Sequence, residues 1–98
     1  MRYEIVFAPE ALEDVRALKA YIRSQVRDAI EAYLRHTPTQ PSTSRIKRLR
    51  GVARPQFRLR VGDAIRVFYD VAGTRVEVLA VISKAEAAEW LKRMEGPG

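Results

Sequence analysis

The chain has 98 residues, of which 47% are hydrophobic and 31% are charged, and these values are typical of one folded domain rather than a disordered protein. It contains no cysteine, no apolar run approaching the roughly 18 residues of a membrane span, and no uninterrupted apolar segment of a secretory signal at its N-terminus. We therefore expect a single domain over residues 1–98 that contacts no membrane and resides in the cytoplasm.

The net charge of +6 comes from one part of the chain. Residues 45–66 carry eight basic side chains and one acidic side chain, whereas residues 1–44 carry six of each and residues 67–98 carry four basic and five acidic. Clustered Lys and Arg residues are the electrostatic footprint of phosphate binding, so this block predicts a nucleic-acid partner. The alternative is a solvated basic face without a ligand.

The first segments predict a strand followed by helix. RYEIVF (2–7) alternates apolar and polar residues with the period of a strand. Pro9 and the acidic residues after it are typical of a first helical turn, and apolar residues then recur every three or four positions. This pattern predicts helix over 9–36, either as one long helix or as a helical hairpin whose second helix begins with Ser24 as its N-cap.

The second half predicts a meander and a final helix. HTPTQPSTS (36–44) is rich in Pro and hydroxyl residues and predicts a loop, and RIKRLRG (45–51) predicts a short turn or helix. QFRLRVG, AIRVFYDV and TRVEVLAVI predict three strands joined by hairpin-length connections, and KAEAAEWLKRM (84–94) predicts a short helix. The order β-αα-βββ-α is an α+β fold, with an antiparallel sheet of about four strands and helices on one sheet face.

Strand periodicity places three arginines on one face of this sheet. Arg58 and Arg60 point away from Leu59, and Arg66 points away from its own apolar neighbours, so all three lie opposite the core. Planar guanidinium groups match phosphate oxygens, which favours a phosphate-binding face. The alternative is that the arginines solvate an open face and pair with Asp70 or Glu77.

Other kinds of active site lack their residues. With a single histidine, His36, and no cysteine, the usual zinc cluster cannot form, and the hydroxyl residues in 37–44 have no recognisable His and Asp companions for a catalytic triad. The glycines are too widely spaced for a phosphate-binding loop. We therefore expect no metal and no cofactor. The plausible chemistry that remains is electrostatic, with Arg and Lys acting on a phosphodiester.

KRLRGVARPQFRLRVGDAIRVFYDV, followed by VEVLAVISKAEAAEWL, resembles the toxins of the RelE/ParE superfamily. The shared pattern is a basic Lys-x-Leu-x-Gly turn, a strand of alternating basic residues, an Arg-Val-x-Tyr strand and a closing hydrophobic strand. The resemblance implies a type II toxin–antitoxin module with a cognate antitoxin. RelE-like members cleave mRNA in the ribosomal A site, where the substrate 2′-hydroxyl attacks the adjacent phosphate, and ParE-like members poison DNA gyrase.

The resemblance also implies site residues. The two strand basics of the RelE-like site fall on Arg58 and Arg60, the transition-state arginine on Arg66, the basic residue after the last strand on Lys84, and the C-terminal tyrosine on Trp90. The remaining basic residues that we expect to bind RNA are Lys47, Arg48, Arg50 and Arg54.

Two of these positions depart from the family pattern. RelE-like enzymes commonly have lysines at the positions of Arg58 and Arg60, and an arginine cannot act as a general base near neutral pH. Trp90 either packs the last helix or stacks on a base, and it cannot exchange a proton. Tyr69 is the nearest phenol, and its strand parity places it in the core.

The leading interpretation is a metal-independent, ribosome-dependent mRNA endoribonuclease that inhibits translation. The alternatives are a ParE-like gyrase inhibitor and a protein of the same fold that binds RNA or a partner without catalysis. The sequence does not separate the first from the last.

Overall fold

A computed structural model describes residues 1–95 as three helices and five strands. In chain order these are β1 (Glu4–Phe7), α1 (Pro9–Ala17), α2 (Ala20–Tyr33), β2 (Ile46–Arg48), β3 (Phe57–Val61), β4 (Ile65–Ala72), β5 (Arg75–Ser83) and α3 (Lys84–Glu95). None of the helices in this described part combines the length and apolar character that a membrane crossing requires. The predicted α+β class, the helical hairpin and the final helix are confirmed.

The sheet is mixed, with the strand order β1-β5-β4-β3-β2. The meander of β3, β4 and β5 is antiparallel as predicted. The sheet differs from the predicted antiparallel sheet of about four strands because β1 runs parallel to β5 and because β2 adds a fifth strand. Alternation of residues predicts the two faces of a strand but not its neighbour, and β1 pairs with the strand most distant from it in sequence.

Residues 46–48 form the strand β2, so the predicted short turn or helix over 45–51 is wrong there. Ile46 is almost fully buried and lies opposite Leu59 in the antiparallel β2–β3 pair. Burial of one isoleucine and pairing with β3 therefore decide the conformation of this segment. Three residues with two exposed basic side chains are too few to show a strand period in the sequence.

The N-terminal helices are separated at Leu18 and Lys19, which both have extended backbone. The proposed N-cap at Ser24 is wrong, because this residue lies within α2. Arg23 explains the break: its Nε donates to the carbonyl of Val15 at 3.2 Å and its Nη2 donates to the carbonyl of Leu18 at 2.8 Å. A side chain of the second helix thus binds two carbonyls at the end of the first helix, one of which, that of Val15, also accepts the N–H of Leu18.

The two sheet faces carry different helices. The hairpin of α1 and α2 covers the main core, which includes Ala11, Val26, Ile30, Leu34, Leu59, Val67, Tyr69, Val76 and Val78. On the opposite face, the Trp90 ring of α3 stacks on the Phe68 ring, with centroids 4.9 Å apart and an interplanar angle of 19°. The prediction that all helices lie on one face is therefore wrong for α3. Its apolar residues were too few to indicate which face it would cover.

Tyr69 is fully buried, as strand parity predicted. Its ring stacks on Phe57 with centroids 5.4 Å apart, and its hydroxyl donates a 2.6 Å hydrogen bond to the carbonyl of Pro38. Burial raises the pKa of the Tyr69 phenol above its ordinary value. The side chain therefore stays neutral, and it attaches the loop after α2 to the core.

The bond from Tyr69 to Pro38 yields a stability prediction. We expect Tyr69→Phe to lower the free energy of unfolding by about 1–3 kcal/mol, because the buried carbonyl of Pro38 loses its donor. Tyr21→Phe removes a hydroxyl from a side chain that is exposed on α2, so this control should remain within about 0.5 kcal/mol of the wild type. Urea unfolding measures both variants, and an equal response would show that the buried bond contributes nothing.

Candidate nucleic-acid interface

A groove with a volume of about 360 Å³ lies between the loop after α2 and the strands β2 and β3. We call it the basic groove. Its lining combines hydroxyl and basic side chains: Pro41, Ser42, Thr43, Ser44, Arg45, Ile46, Lys47, Arg48, Arg50, Arg58 and Arg60. No carboxylate, imidazole or phenol is among these lining residues. The groove is therefore suited to an anion with several oxygen acceptors.

Backbone contacts define the loop wall of the basic groove. The hydroxyl of Ser42 accepts hydrogen bonds from the N–H groups of Arg45 and Ile46, both at 3.1 Å. The N–H of Ser42 in turn donates to the carbonyl of Ile46 at 2.9 Å. Together with the attachment of Pro38 to the core, these bonds fix the loop at both ends. The wall is thus preorganised before any ligand arrives.

Aromatic rings support two of the groove arginines. The guanidinium carbon of Arg48 lies 5.4 Å from the centroid of the Phe57 ring, and that of Arg45 lies 5.2 Å from the centroid of the Tyr33 ring. Cation–π contact of this kind orients a guanidinium group without using its N–H donors. These donors remain available for an oxygen ligand.

Arg58 occupies the middle of the sheet face. Its Cα partners are Lys47 on β2 and Phe68 on β4. The side chain is half-buried, and its Nε is a buried nitrogen without a hydrogen-bond partner among residues 1–95. Buried polar groups are normally paired, so this nitrogen is an exception among the described residues.

Arg60 and Arg66 are opposite each other across β3 and β4, and both contact the turn between these strands. Arg60 Nη2 pairs with the carboxylate of Asp63, and its Nε donates to the carbonyl of Gly62 at 3.1 Å. Arg66 Nη1 donates to the carbonyls of Asp63 at 3.2 Å and Ile65 at 3.0 Å. The predicted common face of Arg58, Arg60 and Arg66 is consistent with this geometry.

The surroundings of Arg66 destabilise the charged form of its side chain. The residue is only 7% exposed. Burial, followed by the positive charges of Arg58 and Arg60, lowers the pKa of the Arg66 guanidinium from its ordinary value, and only Asp63 opposes this shift. Arg66 nevertheless stays protonated near neutral pH. The three arginines therefore form a cluster with more positive than negative charge.

Lys84 and Trp90, the other two residues predicted for the catalytic site, do not line the basic groove. Lys84 begins α3, is exposed, and donates its backbone N–H to the carbonyl of Ala64 at 2.7 Å, which places it beside the β3–β4 turn. Trp90 is half-buried against Phe68, so its ring packs α3 on the sheet. Of the two interpretations of Trp90, this contact favours packing. A catalytic role for either residue stays a prediction.

Arg54 lies outside the basic groove. Its Nε donates to a carboxylate oxygen of Asp70 at 2.6 Å, and its Nη2 donates to Glu77 at 2.8 Å. The hydrogen bond to Asp70 is the main reason why the pKa of Arg54 is raised. The two carboxylates expected as alternative partners of the strand arginines thus pair with Arg54 instead. Its contribution to RNA binding stays a prediction, as it does for Lys47, Arg48 and Arg50.

Sequence reasoning missed the specific positions of Ser42, Arg45 and Asp63. The serine belongs to a Pro- and hydroxyl-rich loop that suggested no site, and Arg45 was counted in the charge block without a role. Asp63 is the single acidic residue within 45–66, a signal that the sequence did offer.

His36 is exposed, with its Nδ1 3.1 Å from the carbonyl oxygen of Met1. Residues 1–95 contain no group of three His, Cys, Asp or Glu residues arranged to hold a metal.

Comparison with known proteins identifies a family model and solved structures that are similar to this chain. A family model described as the ParE toxin of the type II toxin–antitoxin system parDE matches residues 5–88. A mutant of the Escherichia coli toxin RelE in the free state is 27% identical, with a TM-score of 0.70 and coverage of 96% of this chain and 95% of that chain.

Two further structures are similar in fold. A chain of the RelBE2 toxin–antitoxin complex from Mycobacterium tuberculosis is 24% identical, with a TM-score of 0.71 and coverage of 86% of this chain and 100% of that chain. Escherichia coli YafQ is 10% identical, with a TM-score of 0.68 and coverage of 88% and 98%, respectively. No curated protein sequence matches the chain.

The different surroundings of Arg50 and Arg54 can be tested with a polyanion. We expect Arg50→Gln to weaken binding to a heparin oligosaccharide and to reduce the dependence of log affinity on log salt by about one unit, because it removes an exposed charge from the basic groove. Arg54→Gln removes the same formal charge from a site with two carboxylates and should change this slope less. Titrations at several salt concentrations measure both. A larger effect of Arg54→Gln would show that the basic groove is not the anion-binding surface.

Proposed function

We propose that this chain, which belongs to the ParE toxin family within the RelE/ParE superfamily of type II toxins, arrests translation by binding and cleaving messenger RNA on the ribosome. The toxin family follows from the match over residues 5–88. The RNA substrate and the reaction are our inference from the basic groove and from the resemblance of its strands to RelE-like toxins.

The observation that carries the proposal is the under-neutralised cluster of Arg58, Arg60 and Arg66. Burial first, and then the positive charges of Arg58 and Arg60, lower the pKa of Arg66. Among residues 1–95, the carboxylate that pairs with this cluster is that of Asp63. A phosphodiester would supply the missing negative charge. Its oxygens would accept hydrogen bonds from guanidinium N–H groups of the cluster.

The same cluster suits the transition state of RNA cleavage. When a 2′-hydroxyl attacks the neighbouring phosphorus, it loses its proton to solvent, and negative charge accumulates on the phosphorane oxygens as the new bond forms. The bond to the 5′-oxygen then breaks, this oxygen takes up a proton, and a 2′,3′-cyclic phosphate remains. Donors that are already fixed at the phosphorane oxygens stabilise the transition state without reorganising. Arg66 is held by two backbone carbonyls, so it meets this requirement. Lys84 at the other side of the turn is a candidate donor to the leaving group.

The site has few side chains that could transfer a proton. The basic groove is lined by no residue that titrates near neutral pH, and Tyr69 is buried and bonded to Pro38. We therefore assign the rate mainly to electrostatic stabilisation and to alignment of the message by the ribosome.

A cognate antitoxin is the second partner. Among the similar structures, those from Mycobacterium tuberculosis and Methanococcus jannaschii are toxin–antitoxin complexes. We propose that an acidic antitoxin segment covers the basic groove, because a surface with this excess of positive charge attracts a complementary chain and loses its RNA ligand when occupied.

One observation favours a second candidate function. The matching family model is that of the ParE toxin, and ParE-like toxins poison DNA gyrase without cleaving RNA. The absence of a proton-transfer residue from the described lining of the basic groove agrees with such a role. The two candidates differ in the process that stops first in the cell.

Substitution of Arg66 tests the catalytic assignment. We expect Arg66→Gln to reduce single-turnover cleavage of a ribosome-bound message by roughly 10²–10³, because one preorganised donor to the developing charge is lost. Ribosome binding should weaken by less than about tenfold, as for loss of one phosphate contact. Circular dichroism establishes that the variant is folded.

Arg54→Gln is the matched control, since it removes the same charge from a site outside the cluster of Arg58, Arg60 and Arg66, and it should cleave within a few-fold of the wild type. Normal cleavage by Arg66→Gln would show that the role assigned to this residue is mistaken. A wild-type protein that binds ribosomes without cleaving the message would refute the endoribonuclease.

The cellular target has its own test. When the toxin is induced alone, we expect radiolabelled methionine incorporation to fall before thymidine incorporation, because cleavage of messages stops protein synthesis directly. The reverse order, together with a DNA-damage response, would assign the toxin to gyrase. An Arg66→Gln strain serves as the control, and it should continue to incorporate methionine.

A further inference from the structure

We propose that the carboxylate of Asp63 is a built-in competitor for RNA phosphate: it occupies Arg60 in the free protein and must be displaced when a phosphate binds. Asp63 would thereby lower the affinity for nucleic acid in general and make tight binding depend on a correctly placed phosphate. This inference rests on the proposed function only in that the natural ligand carries phosphodiesters.

The geometry of the turn supports this role. The Asp63 carboxylate pairs with Nη2 of Arg60, while the neighbouring carbonyl of Gly62 accepts from Nε of the same guanidinium. The turn thus presents two oxygens to one side of the guanidinium, in the manner of a phosphate with two oxygens. Gly62 has a φ of +58°, a left-handed conformation that glycine adopts without strain, and this allows the chain to reverse tightly behind Arg60.

Asp63 contacts the neighbouring arginine through a different group. Its backbone carbonyl accepts from Nη1 of Arg66 at 3.2 Å. The backbone therefore helps to hold Arg66 in place, and the side chain neutralises Arg60. These two functions can be separated, because exchange of the carboxylate for an amide leaves the backbone carbonyl unchanged.

Within residues 1–95, Asp63 supplies the carboxylate that pairs with an arginine of the cluster Arg58, Arg60 and Arg66. Among residues 1–95, the other carboxylates paired with arginines are those of Asp70 and Glu77 with Arg54 and that of Glu31 with Arg35. The side chain of Asp63 is 95% exposed and that of Arg60 is 41% exposed. A pair so accessible to water is weak, so a phosphate can displace the carboxylate while the turn stays folded.

The competition has a measurable signature in the affinity for nucleic acid. The slope of log affinity against log salt counts the phosphates that the protein neutralises, about 0.7 for each contact with a single strand. Arg60 neutralises one phosphate whether or not a carboxylate is displaced first, so loss of the carboxylate leaves this slope nearly unchanged. It removes the cost of breaking the ion pair, and the affinity rises.

The experiment compares the wild-type protein with Asp63→Asn, using a fluorescein-labelled single-stranded RNA and a DNA of the same sequence. Asparagine keeps the size of the side chain and is accepted in turns. We expect Asp63→Asn to bind both about two- to fivefold more tightly at low salt, the range of an exposed ion pair. The salt slope should change by much less than about 0.7, since no phosphate contact is gained. A purely structural role would weaken binding or leave it unchanged.

Two further variants isolate the mechanism. Asp28→Asn makes the same change in net charge on the exposed surface of α2 and should leave the affinity close to that of the wild type. In an Arg60→Gln background, Asp63→Asn should lose its effect, because the carboxylate acts through Arg60. Thermal unfolding shows that all variants are folded.

Each outcome has a defined meaning. If Asp63→Asn binds no more tightly than the wild type, if Asp28→Asn gives the same gain, or if the gain persists without Arg60, the competitor role is refuted. If the gain appears as expected but the wild type cleaves no message, the competitor role stands and the endoribonuclease falls. Cleavage by the wild type with no effect of Asp63→Asn refutes the competitor role alone.

Discussion

The repulsion among Arg58, Arg60 and Arg66 is the constraint on which the functional surface depends. Like charges on adjacent strands destabilise a sheet, so the fold must hold them together by other means. The apolar residues on the opposite faces of β3 and β4 do this by anchoring both strands in the core. The sheet can therefore hold several positive charges close together, whereas a flexible loop would let them move apart. An anionic ligand would reduce the repulsion among them.

Local neutralisation divides this sheet face into two regions. At one end, Asp70 and Glu77 take up Arg54, and Asp70 also accepts from the backbone N–H of Gln56 at 2.7 Å. This end is balanced and structural. At the other end, the arginine cluster has one exposed carboxylate and borders the basic groove. The loop attached to the core through Tyr69 closes that region, so the placement of acidic side chains decides which arginines remain available.

The sequence predicted those features that depend on residue periodicity. Alternation in β3 and β4 correctly placed Tyr69 in the core. The break between α1 and α2 was not predictable in the same way, because it depends on the side chain of Arg23 reaching back to an earlier helix. Arg54 and Arg58 belong to the same basic block of the sequence, and the folded chain brings Asp70 to Arg54 alone of these two. Periodicity thus determines faces, whereas pairing between distant residues determines which charges are cancelled.

Magnitudes indicate how such a surface would cleave RNA without an evident general base. A positioned acid or base typically contributes 10²–10⁴-fold to a rate, whereas each preorganised donor to developing charge contributes roughly 10²–10³-fold. Several donors that act together, even with incomplete additivity, therefore match or exceed the missing proton transfer. Arginine also stays charged under all physiological conditions, so its contribution does not depend on pH near neutrality. An enzyme built on this arginine cluster would be slower than one with a complete acid–base pair. Because solvent would have to take the proton of the 2′-hydroxyl, its rate would rise with pH between about pH 6 and 9.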